Sequence, residues 1–314
     1  MLPIEILPIS KAFLSGGFAL LGLTIGSFLN VVIHRLPKIS EREIYSECYN
    51  LTCGKKIPAY RASIKNIQWF NRRKWRQGPD RTSFHFKSSD YSLSVPESHC
   101  PHCFKSLKLI DNIPLISFTL LKGKCRYCHK SISIRYPFVE LISSLGAFYI
   151  AMKFGVYYDF GTDIFSVLKI AALCFFFWAC IALTFIDIDT KTLPHVITTN
   201  LLWLGILFSI SPASNISLSS SVLGAACGYI SLRLIHEVYK LVTHKEGMGH
   251  GDFKLVGALC AWGGYEILGP LLLMSSLSGS IFGISLILLK KANRNDEIPF
   301  GPFLVASGFF LILI

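Results

Sequence analysis

The strongest constraint on this chain is a succession of apolar segments, each close to the length a helix needs to cross a bilayer. Crossing ~30 Å of hydrocarbon takes about 20 helical residues. Residues 12–33 are apolar, glycine-rich and free of charge. After Arg135 the pattern is apolar almost to the end, in segments 136–156, 164–186, 196–210, 218–235, 253–265, 268–289 and 299–314. Segment 253–265 is short and contains glycine. Backbone polar groups in lipid must be satisfied within their own segment, so such segments read as helices. The expected fold is an all-α polytopic membrane protein with about eight transmembrane helices. Only 16% of the residues are charged, against ~25% in soluble domains. Intrinsic disorder and a secreted mini-protein are both excluded. Segment 12–33 has no basic n-region and no small-x-small cleavage site after it, so it reads as a retained first span rather than a signal peptide.

Charge is unevenly spread. Residues 35–135 hold 20 of the 31 Lys and Arg but only 7 of the 19 Asp and Glu, whereas the remainder carries 11 basic and 12 acidic residues. Such a block suits a nucleic acid, a lipid surface, or the cytosolic side of a membrane protein. With this block in the cytosol, the N-terminus lies outside. Loops 187–195, 236–252 and 290–298, with Lys191, Lys240, Lys245, Lys290, Lys291 and Arg294, then fall inside. Loops 157–163, 211–217 and 266–267, with Asp159, Asp163 and Glu266, fall outside. The positive-inside bias agrees at every loop. Three parts follow: a first transmembrane helix at 1–35, a basic cytosolic loop domain at 36–135 and a multi-span core at 136–314.

The loop domain contains Cys100-Pro-His-Cys103 and Cys125-Arg-Tyr-Cys128, two CxxC pairs separated by 21 residues. Two thiolates on a tight knuckle, twice, suit a tetrahedral Zn2+ site of zinc-ribbon type. Two redox or disulfide pairs, or unligated thiols, are the alternatives, and a cytosolic location argues against disulfides. Such a centre either staples a small loop domain that lacks a core or binds substrate or nucleic acid. Cys48 and Cys53 form a weak C-x4-C pattern, while Cys174, Cys180, Cys227 and Cys260 sit in apolar segments as small buried side chains. Residues 69–76, Trp-Phe-Asn-Arg-Arg-Lys-Trp-Arg, interleave aromatics with cations. They suit stacking on bases, but a loop tethered to spans on both sides favours anionic membrane lipid.

Ionisable groups at a membrane edge are costly and mark function by default. Asp187 and Asp189 close the apolar run Leu183-Thr-Phe-Ile-Asp-Ile-Asp189. Asp252 lies in Gly247-Met-Gly-His-Gly-Asp-Phe-Lys254, just before another apolar run. The topology puts both at the cytosolic face. Two carboxylates can share one proton, so that the ionised partner activates water and the protonated one donates to a carbonyl oxygen. Glycines let backbone approach an extended substrate and adopt torsions closed to other residues. The plain alternatives are a helix-capping role for Asp252 and simple solvation at a helix end for Asp187 and Asp189.

Together these motifs resemble the type IV prepilin peptidases (prepilin leader peptidase/N-methyltransferases), membrane aspartyl proteases of the GxGD class. The resemblance runs through Gly26-Ser-Phe-Leu-Asn-Val-Val-Ile-His-Arg-Leu-Pro37, Ser94-Val-Pro-Glu-Ser-His-Cys-Pro-His-Cys103, Asp111-Asn-Ile-Pro-Leu-Ile-Ser117, Gly123-Lys-Cys-Arg-Tyr-Cys128, Arg135-Tyr-Pro-Phe-Val-Glu140, Asp187-x5-Leu193-Pro194, Gly249-His-Gly-Asp-Phe-Lys254 and Pro299-Phe-Gly-Pro302. It implies Asp187 and Asp252 as the catalytic pair, supported by Gly249, Gly251, Lys254 and Asp189. It also implies cleavage of the basic leader of prepilins and type II secretion pseudopilins at the cytosolic face of the bacterial inner membrane. Methylation of the new N-terminus with S-adenosylmethionine as donor follows from the same resemblance. His195 stands where the family often has Asp, residues 38–93 are longer than the usual connection, and no Rossmann-type glycine loop occurs. A membrane-tethered zinc-ribbon module for nucleic acid leaves the aspartates unexplained, so no nucleic-acid partner is expected. A proton or cation transporter ranks third, because the acids cluster at one face.

Overall fold

The computed structural model describes residues 7–51, 92–95, 97–155, 164–244, 248–290 and 298–313. The 69–76 cluster, Cys53 and the loop charges Asp159, Asp163, Lys245, Lys291 and Arg294 lie outside the described residues, as does the side chain of Cys48. The described elements are all helical. They are α1 (Leu7–Leu51), α2 (Ile116–Leu120), α3 (Arg135–Gly155), α4 (Ile164–Thr190), α5 (His195–Ile210), α6 (Leu218–Thr243), α7 (His250–Gly263), α8 (Leu268–Leu288) and α9 (Gly301–Leu313). Single turns of 3-10 helix cover Leu109–Asn112 and Tyr265–Ile267.

All eight apolar segments are therefore helical, and the protein is an all-helical multi-span membrane protein. Five stretches are long and apolar enough to cross: Phe13–Glu43, Arg135–Gly155, Phe165–Thr190, Leu218–Thr243 and Tyr265–Leu288. The other three helices are shorter, and α7, with 14 residues, rises only about 21 Å. The first helix also exceeds its sequence expectation, running through Pro37 to Leu51 where the apolar run stops near Ile33.

The chain divides into two compact units, residues 1–25 with 142–314, and residues 26–141. In the first, α7 is the central helix. Phe253, Leu255, Val256, Ala258, Leu259, Cys260, Ala261 and Trp262 are all buried, and α5, α6 and α9 pack around them. A helix apolar all round is a core helix, which explains how one this short lies within a membrane protein. The Gly224-Ala-Ala-Cys-Gly228 stretch of α6 supplies the close approach. A Cβ on Gly224 would sit 2.6 Å from the Cys260 carbonyl oxygen, and one on Gly228 3.1 Å from that of Val256. Small residues four apart admit such backbone proximity between membrane helices. Polar pins complete the packing: Ser221 Oγ donates to the Ala261 carbonyl at 2.7 Å and Trp262 Nε1 to the Leu201 carbonyl at 2.8 Å. The chain leaves α7 through Gly264, whose φ of +80° is readily accessible only to glycine. Outward faces of α6 and α8 expose Leu234, Val238, Leu241, Leu273, Leu277 and Ile281, an apolar surface suited to lipid.

In the second unit, the lower part of α1 and the first turns of α3 border the cysteine segment. Buried Arg35 donates to the Ser92 and Leu93 carbonyls, and Asn30 Nδ2 donates to the Tyr136 carbonyl at 3.2 Å.

Candidate active site

Asp187 lies in the last turn of α4, and its carboxylate is the buried one of the pair, 4% exposed, whereas Asp189 is half-buried. A carboxylate at a helix C-terminus faces the negative end of the macrodipole. The beginning of α9 offsets this. Gly301, the first residue of α9, donates its backbone N–H to Asp187 Oδ2 at 2.9 Å, so the positive end of a second helix meets the acid.

Asp252 is the third residue of α7, whose N-cap is Gly249. The cap is thus supplied by glycine rather than by Asp252, and the carboxylate reaches back to the Gly249 backbone N–H from inside the first turn. Two helix N-termini therefore serve the two acids. Asp187 and Asp252 lie within electrostatic reach of each other, although 65 positions separate them in sequence.

The connector from α4 to α5 makes this meeting possible. Lys191 adopts φ +54° and returns its N–H to the Asp187 carbonyl at 2.8 Å, ending α4 one residue after Thr190. Leu193 then lies against Gly251, where a Cβ would stand 2.8 Å from the Leu193 Cβ. Neither Gly249 nor Gly251 has positive φ, so their torsions are open to any residue. What Gly251 supplies is space, and among the described residues a Cβ on Gly249 would meet only Asp252 Oδ2, at 3.7 Å. Lys254 is half-buried on the same turn and, among the described residues, forms no ion pair with either carboxylate. The linear motif gives no hint that Gly301 is Asp187's donor; Pro299-Phe-Gly-Pro302 marks the place but not the partner.

The rings of His236, His250 and Phe253 cluster beside this turn with centroids 5.4–5.7 Å apart. They fix the start of α7 against α6, and no spacing in the sequence signals them.

The cysteine centre belongs to the second unit and is built as two equivalent knuckles. Isolated bridges His99–Ser106 and Lys124–Ser131 bracket the CxxC pairs. In each, the first cysteine's N–H donates to the carbonyl five residues on, Cys100 to Lys105 and Cys125 to Lys130. Its carbonyl accepts from Phe104 or His129, both at φ near +56° (57° and 55°). The four sulfurs lie within 4.8 Å of one another, with Cys100–Cys128 at 3.8 Å and Cys103–Cys125 at 4.0 Å. Tetrahedral Zn–S bonds of ~2.3 Å put sulfurs ~3.8 Å apart, so the donor set fits that ion. Backbone N–H groups of Cys128 and Tyr127 facing Cys125 pull its thiol down to about 7, favouring the thiolate that a metal binds. Arg126 forms a 2.6 Å ion pair with Asp111 and holds that carboxyl below the usual carboxylate range, tying the second knuckle to the 109–112 turn.

Comparison with known proteins gives the same reading over most of the chain. Residues 20–154 match the Bacterial Peptidase A24 N-terminal domain and residues 174–284 match the Type IV leader peptidase family. The prepilin leader peptidase/N-methyltransferase of Aeromonas hydrophila is 42% identical over 294 residues, 94% of this chain and 88% of that protein. The proteins of that name from Stutzerimonas stutzeri and Pseudomonas aeruginosa are 36% and 38% identical, covering 100% and 94% of this chain and 95% and 88% of their own lengths. No solved structure matches. With full-length relatives at this identity, an all-helical membrane core and the aspartate and cysteine motifs in place, the chain belongs to the type IV leader peptidase family.

Proposed function

We propose that this protein cleaves the basic leader from prepilins and type II secretion pseudopilins and then methylates the new N-terminus. The observation that carries the reading is the convergence of Asp187 and Asp252 at the N-termini of α9 and α7. Adjacent carboxylates resist double ionisation and share a proton. One carboxylate takes a proton from water as it attacks the scissile carbonyl; the other donates to the carbonyl oxygen. Collapse of the tetrahedral intermediate releases the leader and a free α-amine, without a covalent enzyme intermediate. Gly249 keeps the first turn of α7 narrow beside Asp252, so an extended peptide backbone approaches that carboxylate closely, while the space at Gly251 is taken by Leu193.

The active site is read as facing the cytosol, with the N-terminus outside, because that orientation places the basic block and the loop lysines inside. A prepilin's leader is cytosolic and its apolar helix lies in the membrane, so its scissile bond sits at that face. Cys100, Cys103, Cys125 and Cys128 would hold Zn2+ as a structural staple for the 97–134 segment, which has almost no apolar core. S-adenosylmethionine, when bound, supplies an electrophilic methyl group; the described residues contain no strand to carry a Rossmann-type glycine loop for it.

The test is to incubate membranes containing Asp187→Asn or Asp252→Asn protein with a prepilin and labelled S-adenosylmethionine, and to read cut site and methyl group by mass spectrometry. Cleavage is expected to vanish in both while the proteins accumulate normally. Full cleavage by both variants overturns the reading.

A further inference from the structure

Three of the motifs singled out in the sequence are not used by the two-aspartate cleavage proposed above, yet they meet at one residue. Glu140, from the Arg135–Glu140 motif, is a carboxylate only 8% exposed near the start of α3. Its Oε2 accepts the backbone N–H of Leu115, from the 111–117 motif, at 2.9 Å. Its other partner is the hydroxyl of Ser27, from the 26–37 motif. All three residues belong to the second unit.

This arrangement is expensive in two ways. Leu115, which presents its N–H, sits at φ +57°, a backbone conformation that strains a non-glycine residue. A carboxylate in a membrane helix also needs a cationic partner or a function. Among the described residues Glu140 has no ion pair, and no charged side chain acts on it; the influences are burial, the Leu115 amide and the Ser27 hydroxyl. Two neutral donors orient a carboxylate without neutralising it, which leaves it ready for an external cation.

We propose that Glu140 binds the α-ammonium of the cleaved substrate and acts as its base in methyl transfer, an inference that rests on the function proposed above. The Glu140 carboxylate takes one proton from R–NH3+ and becomes a carboxylic acid. The neutral amine's lone pair then attacks the methyl carbon of S-adenosylmethionine. The N–C bond forms, the S–C bond breaks with its electron pair going to sulfur, and R–NH2+–CH3 and S-adenosylhomocysteine result. Ser27 and the Leu115 N–H are positioning groups.

The test uses full-length enzyme in detergent and three readouts. Glu140→Gln keeps the size and the acceptor for the Leu115 N–H but loses the base. Wild type should bind a peptide of the mature N-terminal sequence with a free α-amine more tightly than its N-acetylated form, in the absence of any methyl donor. The variant should lose that discrimination. Its methylation rate should fall about 100-fold or more, the usual range for a lost general base, and recover as pH rises above the α-amine pKa of about 8. Leader cleavage should stay at the wild-type rate, and Glu140→Asp should regain part of the methylation. Wild-type methylation by Glu140→Gln overturns the proposal. So does loss of cleavage together with methylation, which marks a purely structural carboxylate, or loss of S-adenosylmethionine binding, which assigns Glu140 to the donor. If the wild type itself transfers no methyl group, the functional reading fails rather than the assignment of Glu140.

Discussion

The backbone N–H of Gly301 donates to the carboxylate of Asp187 at 2.9 Å, across 114 positions of sequence. This bond fixes the end of α4 against the beginning of α9. It also leaves no room for a side chain, because a Cβ on Gly301 would lie 2.7 Å from Asp187 Oδ2 and 3.1 Å from its Cγ. Gly301→Ala should therefore displace the buried carboxylate and reduce leader cleavage at least ~10-fold, with the protein still present in membranes. The check is a cleavage time course on a prepilin substrate, and a wild-type rate would disprove the contact's importance.

Gly249 and Gly251 look alike in the sequence but differ in surroundings. A methyl at Gly251 collides with Leu193 Cβ at 2.8 Å, whereas one at Gly249 meets, among the described residues, only Asp252 Oδ2 at 3.7 Å, an ordinary contact. Gly251→Ala should thus lower both thermal stability and cleavage more than Gly249→Ala does. Adding Leu193→Gly to Gly251→Ala should restore part of the loss. Detergent-solubilised melting curves and cleavage rates for the four proteins decide the ranking.

Sulfur spacing at the cysteine centre predicts one Zn2+ per chain. Elemental analysis of the purified protein should give a ratio near one, falling on Cys→Ser substitution at Cys100, Cys103, Cys125 or Cys128. The same thiols should resist alkylation until a chelator removes the metal. Methylation is expected to fall more than cleavage in these variants, because they loosen the second unit and leave the aspartates' own packing untouched. Metal-free protein of normal stability and activity would remove the zinc reading.

The core helix α7 offers a comparison between a large apolar side chain and a small polar pin. Trp262 stacks against Phe208 with centroids 5.5 Å apart and packs at a tilt against Phe176, 5.1 Å away. Trp262→Ala should cost about 3–5 kcal/mol. Ser221→Ala removes one buried hydrogen bond to the Ala261 carbonyl, and interhelical bonds of this type in membranes average about 0.6 kcal/mol. Reversible unfolding in detergent, followed by tryptophan-independent circular dichroism, should return that order.

Local features were readable directly because they depend on residues within a turn or two of each other. The apolar segments, the two cysteine knuckles and the placement of Asp187 and Asp252 at helix ends all follow from spacing alone. The length of α1 was not readable, since its continuation through Pro37 to Leu51 lies beyond the apolar run that marked the segment. Span 253–265 was legible as apolar, but not as the helix buried on every side by α5, α6 and α9.

By itself the sequence determined that this chain is a multi-span helical membrane protein with a basic cysteine-rich block and acids at the membrane edge. The resemblance had already singled out Asp187 over Asp189; only the tertiary structure decided that Gly301 donates to Asp187 and that Ser27, Leu115 and Glu140 meet. A helix presents each side chain to a direction fixed by its 3.6-residue period, but what occupies that direction is set by another helix, here up to 114 positions away.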